Sequence, residues 1–372
     1  MNDPQRILII GGGIIGCSIA WELAKAGRSV TLVDKGRLGE EATSAAAGML
    51  GAHVELHHPG PFFELCKISR ELYRGWTEEL KEESGISAQY IGEGIVRIAR
   101  DDEDERELRS RLVWMDGAVW CGPDEMRRLE PALAPEVRGG LYLPDDHQIH
   151  PVALARALRA ALFARGCAVR EGVPALSLIR EGDRVTGVRT AEGDLFADAV
   201  ILAAGAWSAA LVQPLGVELP VFPVKGQCLS LRPDKPVNVK TVFTRGCYIV
   251  PRLDGTVTIG ATQEEAGFDK TATVPAIAAL HETAAALLPG LADAAFVSTW
   301  TGLRPGSPEA VPYLGPLDEV PGLVFAAGHY RNGILLAPVT ARLIRQLLLG
   351  ETPIVPPEPF LPQRRLRLMR AQ

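Results

Sequence analysis

The sequence predicts an α/β plus α+β fold, in which a doubly wound parallel core is interleaved with a domain built on a large, mainly antiparallel sheet. Three observations carry this prediction. The chain opens on a strand, a glycine-rich turn, a helix and a second strand. Two later apolar runs, at 197–204 and 323–327, each read as a buried strand running into a glycine-containing turn. Between these segments lie β-rich inserts, so both domains use several stretches of chain.

In order, Ile7-Leu8-Ile9-Ile10 has strand length and is followed by Gly11-Gly12-Gly13-Ile14-Ile15-Gly16. The stretch Cys17 to Gly27 has helical spacing, and Ser29-Val30-Thr31-Leu32-Val33 is a second strand ending in Asp34. Gly11 permits the tight turn, Gly13 lets the backbone approach a pyrophosphate, and Gly16 lets helix and strand pack closely. A pyrophosphate would sit on the helix N-terminus, where free N–H groups and the positive dipole end point at it. Asp34 would accept hydrogen bonds from an adenosine ribose.

The segment 39–50 is small-residue-rich and then helix-prone, suited to pass close to a bulky cofactor. A helix over 62–83 follows, then strand-like runs at 89–91 and 95–99 and a charged helix over 101–114. His150 to Arg165 reads as a helix with Pro151 in its first turn, where the missing N–H costs nothing. Stretches 175–180 and 184–190 read as a hairpin, and 197–204 as a buried strand leading into Gly205-Ala206-Trp207-Ser208. The regions 221–231, 241–250 and 256–261 are β-rich, 275–288 is helical, 323–327 is a last buried strand, and 337–349 closes as a helix. The turn Gly328-His329-Tyr330-Arg331-Asn332-Gly333 opens a second helix N-terminus. A nicotinamide-only dehydrogenase does not need this turn, whereas a flavoenzyme does, because a helix start aimed at the N1/C2=O edge stabilises the anionic reduced ring. Three strand-end loops at one sheet edge, separated by nearly the whole chain, favour FAD over NAD.

Composition sets the outer bounds. At 372 residues, with 47% hydrophobic and 23% charged residues, the chain has the length and balance of an ordinary two-domain globular protein. A net charge of −6 argues against nucleic acid as a partner. The one basic cluster, Arg364-Arg365-Leu366-Arg367 with Arg370, reads as a solvated, partly ordered terminus. Six cysteines without a CxxC pair fit reduced thiols. The start runs straight into the first strand without a signal peptide, and no segment is apolar over a bilayer-spanning length, so the reading is cytoplasmic with no transmembrane segment. The group His53, Glu55, His57 and His58 lacks a metal-site spacing and is read as no metal site, with Glu55 a polar residue near a site mouth. Lys225 is read as a strand lysine at a domain junction.

These motifs together resemble the FAD-dependent D-amino-acid oxidase superfamily, and most closely its glycine oxidase family. The resemblance rests on Gly11–Gly16 with Asp34, Thr43-Ser44-Ala45-Ala46-Ala47-Gly48-Met49-Leu50, Ala204-Gly205-Ala206-Trp207, Cys247-Tyr248-Ile249-Val250-Pro251-Arg252, Gly302-Leu303-Arg304-Pro305 and Gly328 to Ile334. It implies a Rossmann-like FAD-binding domain over 1–85, 145–217 and 305–355, a substrate domain over 86–144 and 218–304, and a tail over 356–372. It implies oxidation of a small amino acid by hydride transfer from Cα to flavin N5. The imine hydrolyses to a 2-oxo acid and ammonia, and oxygen is reduced to hydrogen peroxide. A role in thiazole synthesis for thiamine and a homotetramer are further implications.

By resemblance, Arg304 clamps the substrate carboxylate with its guanidinium fork. Tyr248 bonds the same carboxylate, and Arg331 lies beside the flavin and substrate, acting through its backbone and by closing the pocket. Met49 limits substrate size, with Glu55, Gly246 and Gln263 around the pocket; Gly246 and Gln263 depart from the family pattern and widen the expected substrates to sarcosine, N-alkylglycines and small D-amino acids. The implied cofactor contacts are Gly11, Gly13, Ile14, Ile15, Gly16, Asp34 and Lys35; Thr43, Ser44, Ala46, Ala47, Gly48 and Met49; Val173, Ala204, Gly205 and Trp207; and Arg304, His329, Arg331, Asn332, Gly333, Ile334 and Leu335. With no cysteine beyond Cys247, FAD is expected to be non-covalent. A D-amino-acid dehydrogenase passing electrons to a quinone, a sarcosine oxidase-like enzyme and a non-catalytic flavin subunit fit the same motifs.

Overall fold

The computed structural model describes residues 5–237 and 240–368. Its first sheet has six strands in the order Tyr313–Pro316, Leu323–Ala327, Ala199–Leu202, Arg6–Ile10, Ser29–Val33 and Ala168–Arg170. All neighbours run parallel except the first pair. The central strand is buried on both faces, which is why its sequence is continuously apolar rather than alternating. Ile7 and Ile9 pack with the helices Ile14–Lys25, Pro61–Ser84, Pro151–Ala164 and Gly333–Leu349. Leu8 and Ile10 face the other way, toward a three-stranded antiparallel sheet over Ala175–Glu181, Arg184–Thr190 and Gly193–Phe196.

The second sheet has eight strands, in the order Ala295–Gly306, Phe222–Arg232, Val257–Gly260, Cys247–Pro251, Thr241–Thr244, Ile95–Ile98, Gly140–Leu143 and Val119–Cys121. It is antiparallel apart from the pair Thr241–Thr244 and Ile95–Ile98. The strand Ala295–Gly306 lies at the edge, where Pro305 opposite Pro223 removes no ladder hydrogen bond that a central strand would need.

Three elements depart from the sequence reading. Residues 89–91 form no strand and contribute only an isolated bridge between Ile91 and Gln148. The long strand Ala295–Gly306 has no clean alternation, because its first half is exposed on both sides. The tail is docked rather than solvated: Arg364 donates to the carbonyls of Pro312 and Val311 at 2.7 and 2.8 Å and lies 4.4 Å from the Tyr313 ring centre. Arg367–Leu368 then pairs with Val217–Glu218, while Arg370 lies outside the described residues.

Candidate active site

The carboxyl ends of the parallel strands open into one continuous cavity of about 450 Å³, which reaches across to the strands of the second sheet. Its nucleotide end is built by the first turn. Gly11 has φ +106°, and a Cβ there would come within 2.3 Å of the Ala203 carbonyl oxygen. That contact shows how closely the turn approaches the neighbouring strand end. The helix Ile14–Lys25 has Gly13 as its N-cap, without a side-chain cap or an acidic residue in its first turn. Thr43 Oγ1 takes the Ile14 N–H at 2.9 Å. Gly13, Ile14 and Ile15 line the cavity, so this helix start presents a positive end with room for an anion.

Asp34 is already engaged. It accepts the N–H groups of Gly12 at 2.6 Å and Gly36 at 2.7 Å, and it lines the cavity beside them. A carboxylate oxygen has two acceptor sites, so this leaves capacity for hydroxyl groups. Lys35 lies 3.3 Å over the Trp207 ring, and Trp207 packs on Phe268, so this end of the cavity is walled by an aromatic stack. A backbone cradle that excludes a Cβ, a free helix N-terminus and an anchored carboxylate are the donors and acceptors that an adenine dinucleotide requires.

The other end is made by side chains of the second sheet. Cys228, Gly260 and Tyr248 share one register row across three strands. Gly260 carries no side chain where a Cβ would meet the phenol at 2.5 Å, so Tyr248 lies across it with its hydroxyl 3.5 Å from Cys228 Sγ. Burial pushes the Tyr248 phenol well above its usual range, so it is a neutral donor. Arg304 runs across Gly226, where a Cβ would fall 2.4 Å from its Nη1. Nη1 donates to the Thr262 carbonyl at 3.1 Å, and among the described residues no carboxylate pairs with this guanidinium.

Arg331 differs in this respect. Its guanidinium forms a bidentate pair with Glu55 at 2.7 and 3.0 Å, so its side chain adds a contact that the reading through its backbone did not include. Burial alone would raise the Glu55 carboxyl. The Arg331 guanidinium and its hydrogen bonds, with the charges of Arg97 and Arg304, outweigh that and hold it below the usual carboxylate range. Glu55 is delivered by the short helix Ala52–Glu55, anchored where Asp146 takes the N–H groups of His53 at 3.0 Å and Val54 at 2.8 Å. Arg70 completes that anchor, 2.7 Å from Asp146 and 2.8 Å from His53 Nδ1. His57 turns to Arg111 at 2.5 Å, so the acidic and imidazole side chains of this segment point to separate partners.

The pair gives a pH prediction. Because the folded-state carboxyl of Glu55 is held below its unfolded value, its stabilising contribution is complete above that unfolded value. It is lost as pH falls through the lowered one. Glu55→Gln should cost about 2–3 kcal/mol at neutral pH by leaving Arg331 unpaired. Denaturant titrations of both proteins should show that difference constant above about pH 5 and shrinking below about pH 4; a difference independent of pH would remove the ion pair as its origin.

Most of the residues singled out in the sequence meet at this cavity, from Gly11, Gly13, Asp34 and Lys35 through Thr43, Ala46 to Met49, Glu55, Ala204, Gly205 and Trp207 to Tyr248, Arg304, His329 and Arg331 to Ile334. Six sit outside its wall. Gly16 is buried behind the turn, its Cβ position 1.9 Å from the Gly11 carbonyl oxygen. Ser44 is exposed and bonds the Glu41 carbonyl of its own short helix. Val173 is buried and gives its N–H to the Asp34 carbonyl at 2.8 Å, leaving Pro174, Ala175 and Leu176 in the wall. Leu335 is buried under the long helix, its carbonyl taking Ser69 Oγ at 2.6 Å. Gly246 lies on the exposed turn between Thr241–Thr244 and Cys247–Pro251, and Gln263 is exposed in the loop that follows Val257–Gly260.

The sequence reading missed Gly226, Cys228 and Thr262. Two-residue alternation places Gly226 and Cys228 on one strand face, but only the strand pairing shows that this face meets Tyr248 and Arg304. Arg252 is a further anchor, donating to the Ala47 carbonyl at 2.6 Å and so holding the small-residue segment against the second sheet.

Residues 6–347 match the family model described as FAD dependent oxidoreductase. The glycine oxidase of Bacillus licheniformis is 39% identical over 350 residues, covering 94% of each chain. The bifunctional protein ThiO/ThiG of Synechocystis sp. is 38% identical over 98% of this chain, which spans 54% of that protein. Among solved structures, glycine oxidase from Geobacillus kaustophilus superposes with a TM-score of 0.93 at 36% identity, covering 99% of this chain and all of that one.

Proposed function

The chain belongs to the FAD-dependent oxidoreductase family, and on that premise we propose that it oxidises glycine and related small amines. Sarcosine, N-alkylglycines and small D-amino acids are the wider set, and the products are a 2-oxo acid, ammonia or amine, and hydrogen peroxide. The observation that carries this reading is Arg304, a guanidinium in the cavity wall with no carboxylate partner among the described residues. FAD, when bound, would supply the hydride acceptor for the substrate Cα and the carrier of those electrons to oxygen.

The residues that would hold it are Gly11, Gly13, Ile14 and Asp34 at the nucleotide end and Gly328 to Ile334 at the other. The start of the helix Gly333–Leu349 has no acidic residue in its first turn and offers a positive end to developing negative charge. Non-covalent attachment belongs to the same reading: acid precipitation should leave the yellow colour in the supernatant.

Beside Tyr248 the cavity wall carries the guanidiniums of Arg304 and Arg331, and Glu55 neutralises that of Arg331. At this end the unpaired Arg304 guanidinium selects an anionic group on the ligand, and the neutral phenol of Tyr248 supplies a further donor. Met49, half-buried in the wall, limits the side chain that fits beside Cα. His329 is the histidine of the wall among the described residues. Burial pushes its imidazole down to about 3, and Nε2 lies 3.1 Å from Thr340 Oγ1, so it stays neutral through the physiological range. The amine therefore sheds its proton to solvent rather than to an imidazole. The pH profile of kcat/KM should rise through the substrate's own amine ionisation and move when a less basic amine is used; a fixed inflection between about pH 6 and 7 would implicate a side chain instead.

The reading retains a discontinuous FAD-binding domain over 1–85, 145–217 and 305–355 and a substrate domain over 86–144 and 218–304. It retains a cytoplasmic homo-oligomer and a place in thiazole synthesis; no helix among the described residues is long and apolar enough to cross a membrane. A substrate panel read by peroxide release in air, with dye reduction under nitrogen in parallel, tests the whole. Peroxide from glycine or sarcosine supports an oxidase, dye reduction without peroxide transfers the chain to the dehydrogenases, and neither result leaves a non-catalytic flavoprotein.

A further inference from the structure

We infer that Glu264 is a positioning residue for substrate binding, setting the plane of the Arg304 guanidinium through the Thr262 carbonyl. The inference rests on the reading of Arg304 as the carboxylate clamp. Arg304 has five N–H donors, and among the described residues the one protein acceptor it meets is that carbonyl, at 3.1 Å from Nη1. What fixes Thr262 therefore fixes the fork.

Thr262 is held from both sides. Its Oγ1 accepts the Gln227 N–H at 3.0 Å and donates to Glu264 Oε1 at 2.6 Å. The same Oε1 takes Gln227 Nε2 at 2.7 Å, and Oε2 lies 3.0 Å from Lys225 Nζ. Lys225 and Glu264 also exchange backbone hydrogen bonds of 2.9 and 3.0 Å, so the charged pair sits on a rung that joins strand and loop. Asp269 at 3.8 Å and the Thr271 carbonyl at 3.1 Å share the ammonium.

Neither Lys225 nor Glu264 lines the cavity, so this charge pair acts on the ligand only through the backbone it holds. Lys225 is 3% exposed, and Glu264 is the nearest carboxylate to its buried charge. Burial works against the Glu264 carboxylate, yet Thr262, Gln227 and Lys225 hold it ionised, so the device operates across the physiological pH range. With Gly226 removing any side chain beneath the guanidinium, the Thr262 carbonyl is what keeps the fork from tipping across the strand.

The test uses the FAD-loaded enzyme and acetate, a carboxylate without an amine, titrated by its perturbation of the flavin spectrum. Glu264→Ala should weaken acetate binding and raise KM for glycine about tenfold, with kcat changed by less than about twofold and FAD content unchanged. Thr262→Val should do the same, while Thr262→Ser, which keeps the hydroxyl, should bind acetate like the parent. If Glu264→Ala loses FAD or fails to fold, the Thr262 pair decides. Acetate affinity unchanged in Thr262→Val, or lost equally in Thr262→Ser, overturns the inference. Arg304→Ala serves as the reference. If it leaves acetate binding intact, the clamp reading itself fails; if it weakens binding while the Glu264 and Thr262 variants do not, only the positioning role fails.

Discussion

Arg304→Ala is expected to raise KM for glycine about a hundredfold while lowering kcat far less. The ligand's carboxylate would lose a bidentate, charge-assisted contact in a partly desolvated cavity, a loss of about 2–4 kcal/mol. Arg304 sits half-buried across Gly226 with its Nη1 anchored, so the remaining donors are free to meet the ligand. Arg304→Lys should recover only a small part, because an ammonium keeps the charge but loses the planar fork. The effect should vanish for amines without a carboxylate. Equal KM values for parent and Arg304→Ala with glycine would remove this residue from the site, and an equal loss for a neutral amine would show a structural effect instead.

The second large effect is expected at a residue that touches no ligand. Gly16→Ala would drive a Cβ to within 1.9 Å of the Gly11 carbonyl oxygen, a contact between two backbone segments that no side-chain movement relieves. The turn must shift, and with it the cradle at Gly11 and Gly13. We expect destabilisation of about 3 kcal/mol or more together with loss of bound FAD. Gly27→Ala is the control: its φ of +75° makes alanine strained, but nothing lies within 4 Å of its Cβ position. That substitution should cost about 1 kcal/mol and leave FAD in place. Thermal melts and the ratio of flavin to protein absorbance separate the cases. Retention of FAD and an unchanged melting temperature in Gly16→Ala would contradict the close packing of the turn.

The elements most legible in the sequence are those whose constraint is local. The first βαβ unit is written in a continuous apolar strand, a glycine turn and a helix with periodic apolar residues, and each appears where that pattern places it. His150 and Pro151 mark the start of their helix, and His150 Nδ1 accepts the Ala153 N–H at 3.3 Å as its cap. The edge strand Ala295–Gly306 was not legible as a strand. Its exposed residues gain no alternation from a core, and it takes its form from eleven paired positions along Phe222–Arg232.

The site divides in the same way. Gly11, Gly13 and Asp34 are close in sequence and line one end of the cavity, so spacing alone brought them together. Tyr248 was ambiguous because a buried strand aromatic is ordinarily core; its register row with Gly260 and Cys228 places it in the cavity wall. Glu55 and Arg331 are separated by 276 residues, and nothing local in either segment announces a bidentate pair.

By itself, then, the sequence determined the doubly wound core, the dinucleotide turn and the residue types available for binding a small anion, because these follow from short-range periodicity and backbone sterics. The tertiary structure decided which of those residues face one another. Strand register set Tyr248 and Arg304 on a common wall. The anchoring of Ala52–Glu55 by Asp146 brought Glu55 to Arg331, while Arg304, on the wall beside Tyr248, has no carboxylate partner among the described residues. The physical reason is that charge pairing in a cavity depends on distances between chain segments far apart in sequence, and only the packed sheets fix those distances.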